Sequence, residues 1–255
     1  MKEKLNEFYT QIGVYNNIPK DSCPQSLACW HKLTEVQKID LGSYFYPPYI
    51  GQKYDDLRLL FLGLNMNGIN QKDGAAYLAG LAIKEIAAGN KRTFKKSYYQ
   101  GSLLWHRILT YAVFFLRETG ILTKPDTFKY PSIEEMLMAY DYLAMTNIVK
   151  CCPNTKKSEP TADMLHKCPS LFLKNEVEIL NPKHIVCFGN SAFNGLKKLF
   201  PLKKTENSGK ASLYTTQING EDTYIFTLPH PGCAKGSAKE RQRELVNIIS
   251  HITKT

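Results

Sequence analysis

The sequence predicts an α/β protein, a three-layer α/β/α sandwich around a central, mainly parallel four-stranded sheet. Three observations carry that expectation. Residues 59–62, Leu-Leu-Phe-Leu, form an apolar run with no polar interruption, the pattern of a strand covered on both faces. Runs of this kind in residues 58–68, 146–152, 186–191 and 226–236 each stop at a corner of Gly, Asn, Cys or His. Stretches of helical composition separate them, as crossovers between parallel strands require. Such corners at the carboxyl ends of strands are where α/β folds bind ligands, so the four are expected to converge on one site.

Leu5, Phe8, Tyr9 and Ile12 fall at helical spacing over residues 3–15, and residues 16–29 turn polar around Pro19 and Pro24. The loop 42–54 leads into the first strand, which ends at Gly63, where the backbone can turn without a side chain in the way. Residues 74–88 have a helical Ala/Leu/Ile composition, and the basic, aromatic KRTFKKSYY of 91–99 reads as a solvated loop. Leu103, Leu104, Ile108, Tyr111, Ala112 and Phe115 give a helix over 102–117 one apolar face, and Pro131-Ser132 before IEEML starts another. A strand over 143–149 and a helix over 161–180 follow, then a strand over 185–188 and a helix capped by Ser191. Asn219-Gly220, between 212–218 and 223–228, is a two-residue hairpin signal, and the last helix covers about 237–252. One domain over 1–255 is expected, with 84–142 as a helical insertion.

A formal charge of +10 favours a polyanionic partner, nucleic acid first among them. No run of eighteen apolar residues occurs, and MKEKLNEFYT lacks the apolar core of a signal peptide, so a cytoplasmic protein without a membrane partner is expected. Seven cysteines are an odd number for a disulfide framework, which leaves buried thiols or metal ligands. Cys23 with Cys29 and Cys151 with Cys168 make two pairs of soft donors suited to zinc or an iron–sulfur cluster; the alternative is that all four are small buried residues. Cys152 competes with Cys151 for that role, and Cys187, inside a buried strand, reads as core.

Taken together, the corners resemble the uracil-DNA glycosylase superfamily, in particular its iron–sulfur (family 4-like) branch, over residues 23–251. TNIVKC at 146–151, followed by Pro153 and Cys168-Pro169, is similar to the branch's strand-end Asn with its third and fourth cluster cysteines. The resemblance implies a [4Fe–4S] cluster held by Cys23, Cys29, Cys151 and Cys168, with zinc as the alternative. The first pair is spaced more widely than the branch's usual CxxC. GLNMNG at 63–68 is similar to the first catalytic motif, with Asn65 where relatives carry Asn or Asp and Met66 in place of Pro. GAAYLAG at 74–80 resembles the segment that supplies the stacking aromatic, here Tyr77, and LPHPG at 228–232 is similar to the second motif, which makes His230 the histidine facing the base. The resemblance thus implies Asn65 and His230 as catalytic residues and Gly63, Leu64, Tyr77 and Asn147 around the base. It also implies Pro231, Gly232, Cys233 and Lys235 on the DNA, and Ser191, near the expected start of a helix, is suited to a DNA phosphate.

The residue types suit that chemistry. Extruding a base from DNA requires a flat surface to receive it, and Tyr77 offers one. The Asn147 amide carries both a donor and an acceptor, which match uracil O4 and N3–H. A neutral His230 can donate to the O2 of the departing base, and Asn65 can hold a water beneath C1′ without acting as a strong base. The expected activity is hydrolysis of the N-glycosidic bond of uracil, or a related deaminated base, by a monomer. A nucleic-acid-binding member that has lost catalysis is the alternative, for which the missing motif carboxylate and the small wedge at Cys233 speak; a zinc-stabilised enzyme acting on nucleotides is a third. Lys91, Arg92, Lys95 and Lys96, interleaved with aromatics, are further candidates for DNA contact.

Overall fold

A computed structural model describes residues 1–14, 23–25, 47–64, 100–150, 160–230 and 238–252. Helix α1 (Lys2–Ile12) is followed by strand β1 (Tyr49–Ile50), the short helix α2 (Tyr54–Leu57) and β2 (Leu59–Gly63). Helices α3 (Gln100–Glu118) and α4 (Ile133–Ala139) precede β3 (Leu143–Asn147). Next come α5 (Ala162–Cys168), a π-helical turn (Pro169–Leu173) and α6 (Lys174–Leu180), which run on without a break. β4 (His184–Phe188), α7 (Gly189–Lys197), β5 (Lys203–Ser208), β6 (Ala211–Ile218), β7 (Glu221–Leu228) and α8 (Ala238–Ile252) complete the described chain.

Among the described residues the sheet has seven strands in the order β1-β3-β2-β4-β7-β6-β5, which corrects the expected four. β3, β2, β4 and β7 are mutually parallel, β1 runs antiparallel at one edge, and β6 and β5 extend the other edge antiparallel. The additional edge strands have physical reasons for escaping a reading by apolar pattern. β1 is two residues long beside Pro48, and β5, KKTENS, is exposed along nearly its whole length and so shows no apolar alternation.

Alternate residues of the central strands feed two separate cores. Leu59, Phe61, Leu143, Met145, Val186, Phe188, Phe226 and Leu228 face α3, α4 and α8 through Trp105, Ile108, Phe115, Met136 and Leu245. Leu60, Leu62, Ala144, Ile185, Cys187 and Ile225 face α1 and α5 to α7 through Leu5, Tyr9, Met164, Phe172 and Leu196. Helices therefore cover both faces of the sheet. Residues 100–142, the described part of the expected insertion, supply much of one of these layers. Among the described residues no helix is long and apolar enough to cross a membrane.

Local signals explain where the helices begin and bend. Ser132 accepts from the Glu135 backbone N–H while the Glu135 carboxylate accepts from that of Ser132, a complete capping box. Thr161 accepts from the Met164 backbone N–H at 3.2 Å and starts α5. Pro169 lacks the N–H that would bond the carbonyl four residues back, and the chain widens there into the π-helical turn. Ser191 is not the cap that the sequence suggested: α7 begins at Gly189, with Phe188 as its N-cap, and Ser191 lies inside the first turn. Asn219 and Gly220 turn the β6–β7 hairpin at φ 51° and 80°, the two positive values that a type I′ turn requires.

Candidate active site

The parallel registers bring four strand ends to one edge of the sheet. Gly63 of β2 lies opposite Asn147 of β3, and Phe188 of β4 lies opposite Leu228 of β7. The β2–β3 ladder continues past the strands, with Ile148 N donating to Gly63 O and Val149 N to Leu64 O, each at 3.0 Å. Gly63-Leu64 and Asn147 to Val149 therefore leave the sheet side by side.

Glycine at 63 is dictated by its neighbour. A Cβ there would stand 2.4 Å from Asn147 Oδ1, so the buried amide occupies the space that only glycine leaves open. Gly189 plays the corresponding part for the second motif. Its φ of +81° is one that side-chain-bearing residues rarely adopt, and a Cβ would lie 3.4 Å from His230 Cβ. His230 is exposed at the open edge, with its Cβ side packed on Gly189. Burial on that packed side, followed by the Arg107 guanidinium of α3, holds its imidazole below the usual histidine range, although solvent on the open side screens both effects. The ring is thus biased toward the neutral form, which can donate one hydrogen bond.

The structure brings together Gly63, Leu64, Asn147 and His230, with exposed Ser191 in the first turn of α7 beside them. Asn65, Tyr77, Pro231, Gly232, Cys233 and Lys235 lie outside the described residues, as do Lys91, Arg92, Lys95 and Lys96.

Of the four proposed cluster ligands, Cys23 and Cys168 are described, and Cys29 and Cys151, with its competitor Cys152, lie outside the described residues. Cys168, the last residue of α5, is buried in the core, and half-buried Cys23 packs against that same core. Burial raises the Cys23 thiol above its ordinary range; a backbone hydrogen bond from Gln25 opposes this, and the neighbouring Cys168 adds to it. Two thiols adjacent in space and more than a hundred residues apart in sequence fit a shared soft-metal site, since a bound cation would favour the thiolates that burial disfavours. Among the described residues no group of three or more His, Cys, Asp or Glu side chains is assembled. Cys187 is fully buried in β4, its thiol pushed far up by desolvation, and belongs to the core.

Reasoning from sequence missed a buried polar network directly behind this site. Lys150 Nζ donates to Thr146 Oγ1 and to Glu176 Oε2, Thr146 Oγ1 donates to Glu176 Oε2 at 2.8 Å, and Tyr9 OH donates to Glu176 Oε1 at 2.7 Å. All four residues are buried. Burial pulls the Lys150 ammonium down from its ordinary range, and Glu176 opposes that. The signal was present: Phe172, Leu173, Val177 and Leu180 form one apolar stripe, and Glu176 interrupts it.

The family model of the uracil DNA glycosylase superfamily matches residues 51–250. This chain belongs to that superfamily. It is similar to the Type-4 uracil-DNA glycosylase of Archaeoglobus fulgidus, with 31% identity over 88 residues, 34% of this chain and 43% of that protein. The chain thus aligns with less than half of that relative's length. The superfamily match spans all four strand ends, and with them both the Gly63–Asn147 and the Gly189–His230 contacts.

Proposed function

We propose that this member of the superfamily is a monofunctional DNA repair glycosylase, hydrolysing the N-glycosidic bond of uracil or a related deaminated base to leave an abasic site. The observation that carries the reading is the pairing at the sheet edge: a buried carboxamide on the last residue of β3, seated over Gly63, and a neutral-biased imidazole two residues past β7, seated on Gly189. An amide held this way presents a fixed donor and acceptor to a base edge, and fixed orientation is what allows it to discriminate uracil from cytosine. His230 donates to the O2 of the departing base, where negative charge grows as the bond to C1′ breaks. Asn65 orients the attacking water and Tyr77 stacks on the extruded base. Ser191 and the 231–235 segment, with Pro231, Gly232, Cys233 and Lys235, contact the DNA strand.

Cys23, Cys29, Cys151 and Cys168 hold a [4Fe–4S] cluster in this reading, and such a cluster supplies a covalent tie between the N-terminal segment and the chain after β3. The adjacency of Cys23 and Cys168 supports it.

The deciding experiment is a single-turnover assay on single-stranded and U:G duplex DNA, with free base and alkali-labile sites as products. Base release without a borohydride-trappable lysine adduct is expected. DNA binding with no release from uracil, hypoxanthine or xanthine substrates would replace the enzyme with a binding protein.

A further inference from the structure

Helix α3 carries a positive charge to the edge where His230 sits. Phe115 lies 5.5 Å from His184, the first residue of β4, and packs edge-on against Phe226 at 5.0 Å. Tyr111, one turn earlier, lies 5.9 Å from Phe188, the last residue of β4. α3 therefore runs antiparallel to β4, and each turn toward its N-terminus moves about 5.4 Å closer to the carboxyl edge. Arg107 stands four residues before Tyr111 on the same helix face, which places it one turn beyond Phe188. That is the level of Gly189 and of the His230 packed on it. Arg107 is itself partly buried there, and its charge is felt at the imidazole.

We propose that Arg107 is a positioning residue for the departing base: its permanent charge keeps His230 a neutral donor and adds positive potential where the base becomes an anion. The proposal rests on the glycosylase reading. Arginine suits the task because it does not deprotonate within the working range, so it cannot relieve the repulsion by giving up its own proton. Solvent weakens this influence in the open site; a bound base that expels water strengthens it. The described groups on the elements next to His230 are consistent with such a role. On its own segment Thr227, Leu228 and Pro229 are uncharged, α7 presents Gly189 and the positive end of its backbone, and α3 carries His106 next to Arg107. Lys235 lies outside the described residues.

The test follows His230 by NMR titration of selectively labelled protein, alongside the pH dependence of the single-turnover rate, in wild type, R107M and R107K. R107M is expected to move the His230 titration to higher pH and to lower the rate by about tenfold, less than the loss of a preorganised donor. The acid limb of its rate profile should rise with the titration, while affinity for uracil-free single-stranded DNA changes less than twofold. R107K, which keeps the charge, should retain the wild-type titration and most of the rate, and so controls for a folding defect. An unmoved His230 titration in folded R107M overturns the proposal, as does a rate loss matched by an equal loss of DNA affinity, the mark of a phosphate contact. Wild-type protein that releases no base, but whose His230 titration moves in R107M, sinks the glycosylase reading and leaves the Arg107–His230 coupling standing.

Discussion

At the scale of single residues, the site depends on what is absent from two backbone positions. A Cβ at Gly63 would displace the Asn147 amide, because the 2.4 Å approach is far inside contact distance and β2 and β3 are locked in register on both sides. G63A should therefore fold and lose single-turnover activity by on the order of a hundredfold, the scale expected when a reacting group is misplaced by about 1 Å. Wild-type rates in G63A would show that Asn147 does not need its observed seat. His184, at the far end of β4, makes a contrasting case. Burial pushes its imidazole down to about 4, and Nδ1 lies 3.3 Å from Leu57 O. The neutral form is favoured in the folded state, so its stabilising effect is complete above the unfolded histidine value and is lost as pH falls toward about 4. The loss amounts to roughly 3 kcal/mol at most. Chemical denaturation between pH 7 and 4 should show that decline, and H184Q should flatten it. Both Gly63 and Asn147 were legible in the sequence, since a Gly corner and a strand-end Asn stand out in apolar runs. Arg107 was not, because a basic residue on a helix face looks the same whether it points to water or toward a histidine contributed by another strand.

At the scale of elements, the Tyr9–Glu176–Lys150–Thr146 network joins α1, α6, β3 and the segment leading to Cys151. A buried ion pair of this kind adds little net stability over apolar packing, but breaking it strands a charge. K150M should cost about 3–5 kcal/mol, measured by urea unfolding, whereas K150M combined with E176Q should recover part of that loss because no uncompensated carboxylate remains. Equal destabilisation in the single and double variants would mean that the charge pair is not what matters there. Y9F leaves one carboxylate oxygen short of a donor and should cost about 1–3 kcal/mol. Most of the helices could be read from the sequence because their apolar residues recur at helical spacing, and the central strands because they are short apolar runs buried on both faces. β5 could not, since its residues are polar and it owes its place to the ladder with β6, which only the folded sheet supplies. Ser191 illustrates the same limit at a helix start, where a favourable cap residue fell two positions inside the helix that formed.

At the scale of the whole molecule, net charge and the proposed cluster lead to separate expectations. A net charge of +10 should make DNA binding strongly salt-dependent, and replacing Lys91, Arg92, Lys95 and Lys96 together by alanine should reduce the log–log slope if those side chains release counterions from phosphate. An unchanged slope would return that stretch to the role of a solvated loop. The proposed cluster concerns how the chain is held together. Cys23 and Cys168 reach the same core from distant parts of the sequence, and the chain between β3 and α5 contains Cys151. A metal centre bridging them would close a loop that contains β1, β2 and β3, so its binding energy would also be folding energy. The purified protein is therefore expected to be brown, with iron at the stoichiometry of one [4Fe–4S] cluster. C168A or C23A should lose colour and unfold at a lower temperature, while C187A, whose thiol sits inside β4, should keep its iron. Elemental analysis that finds zinc and no iron would remove the cluster and leave the thiol pair as a zinc site, and iron retained in full by C168A would take that cysteine out of the ligand set.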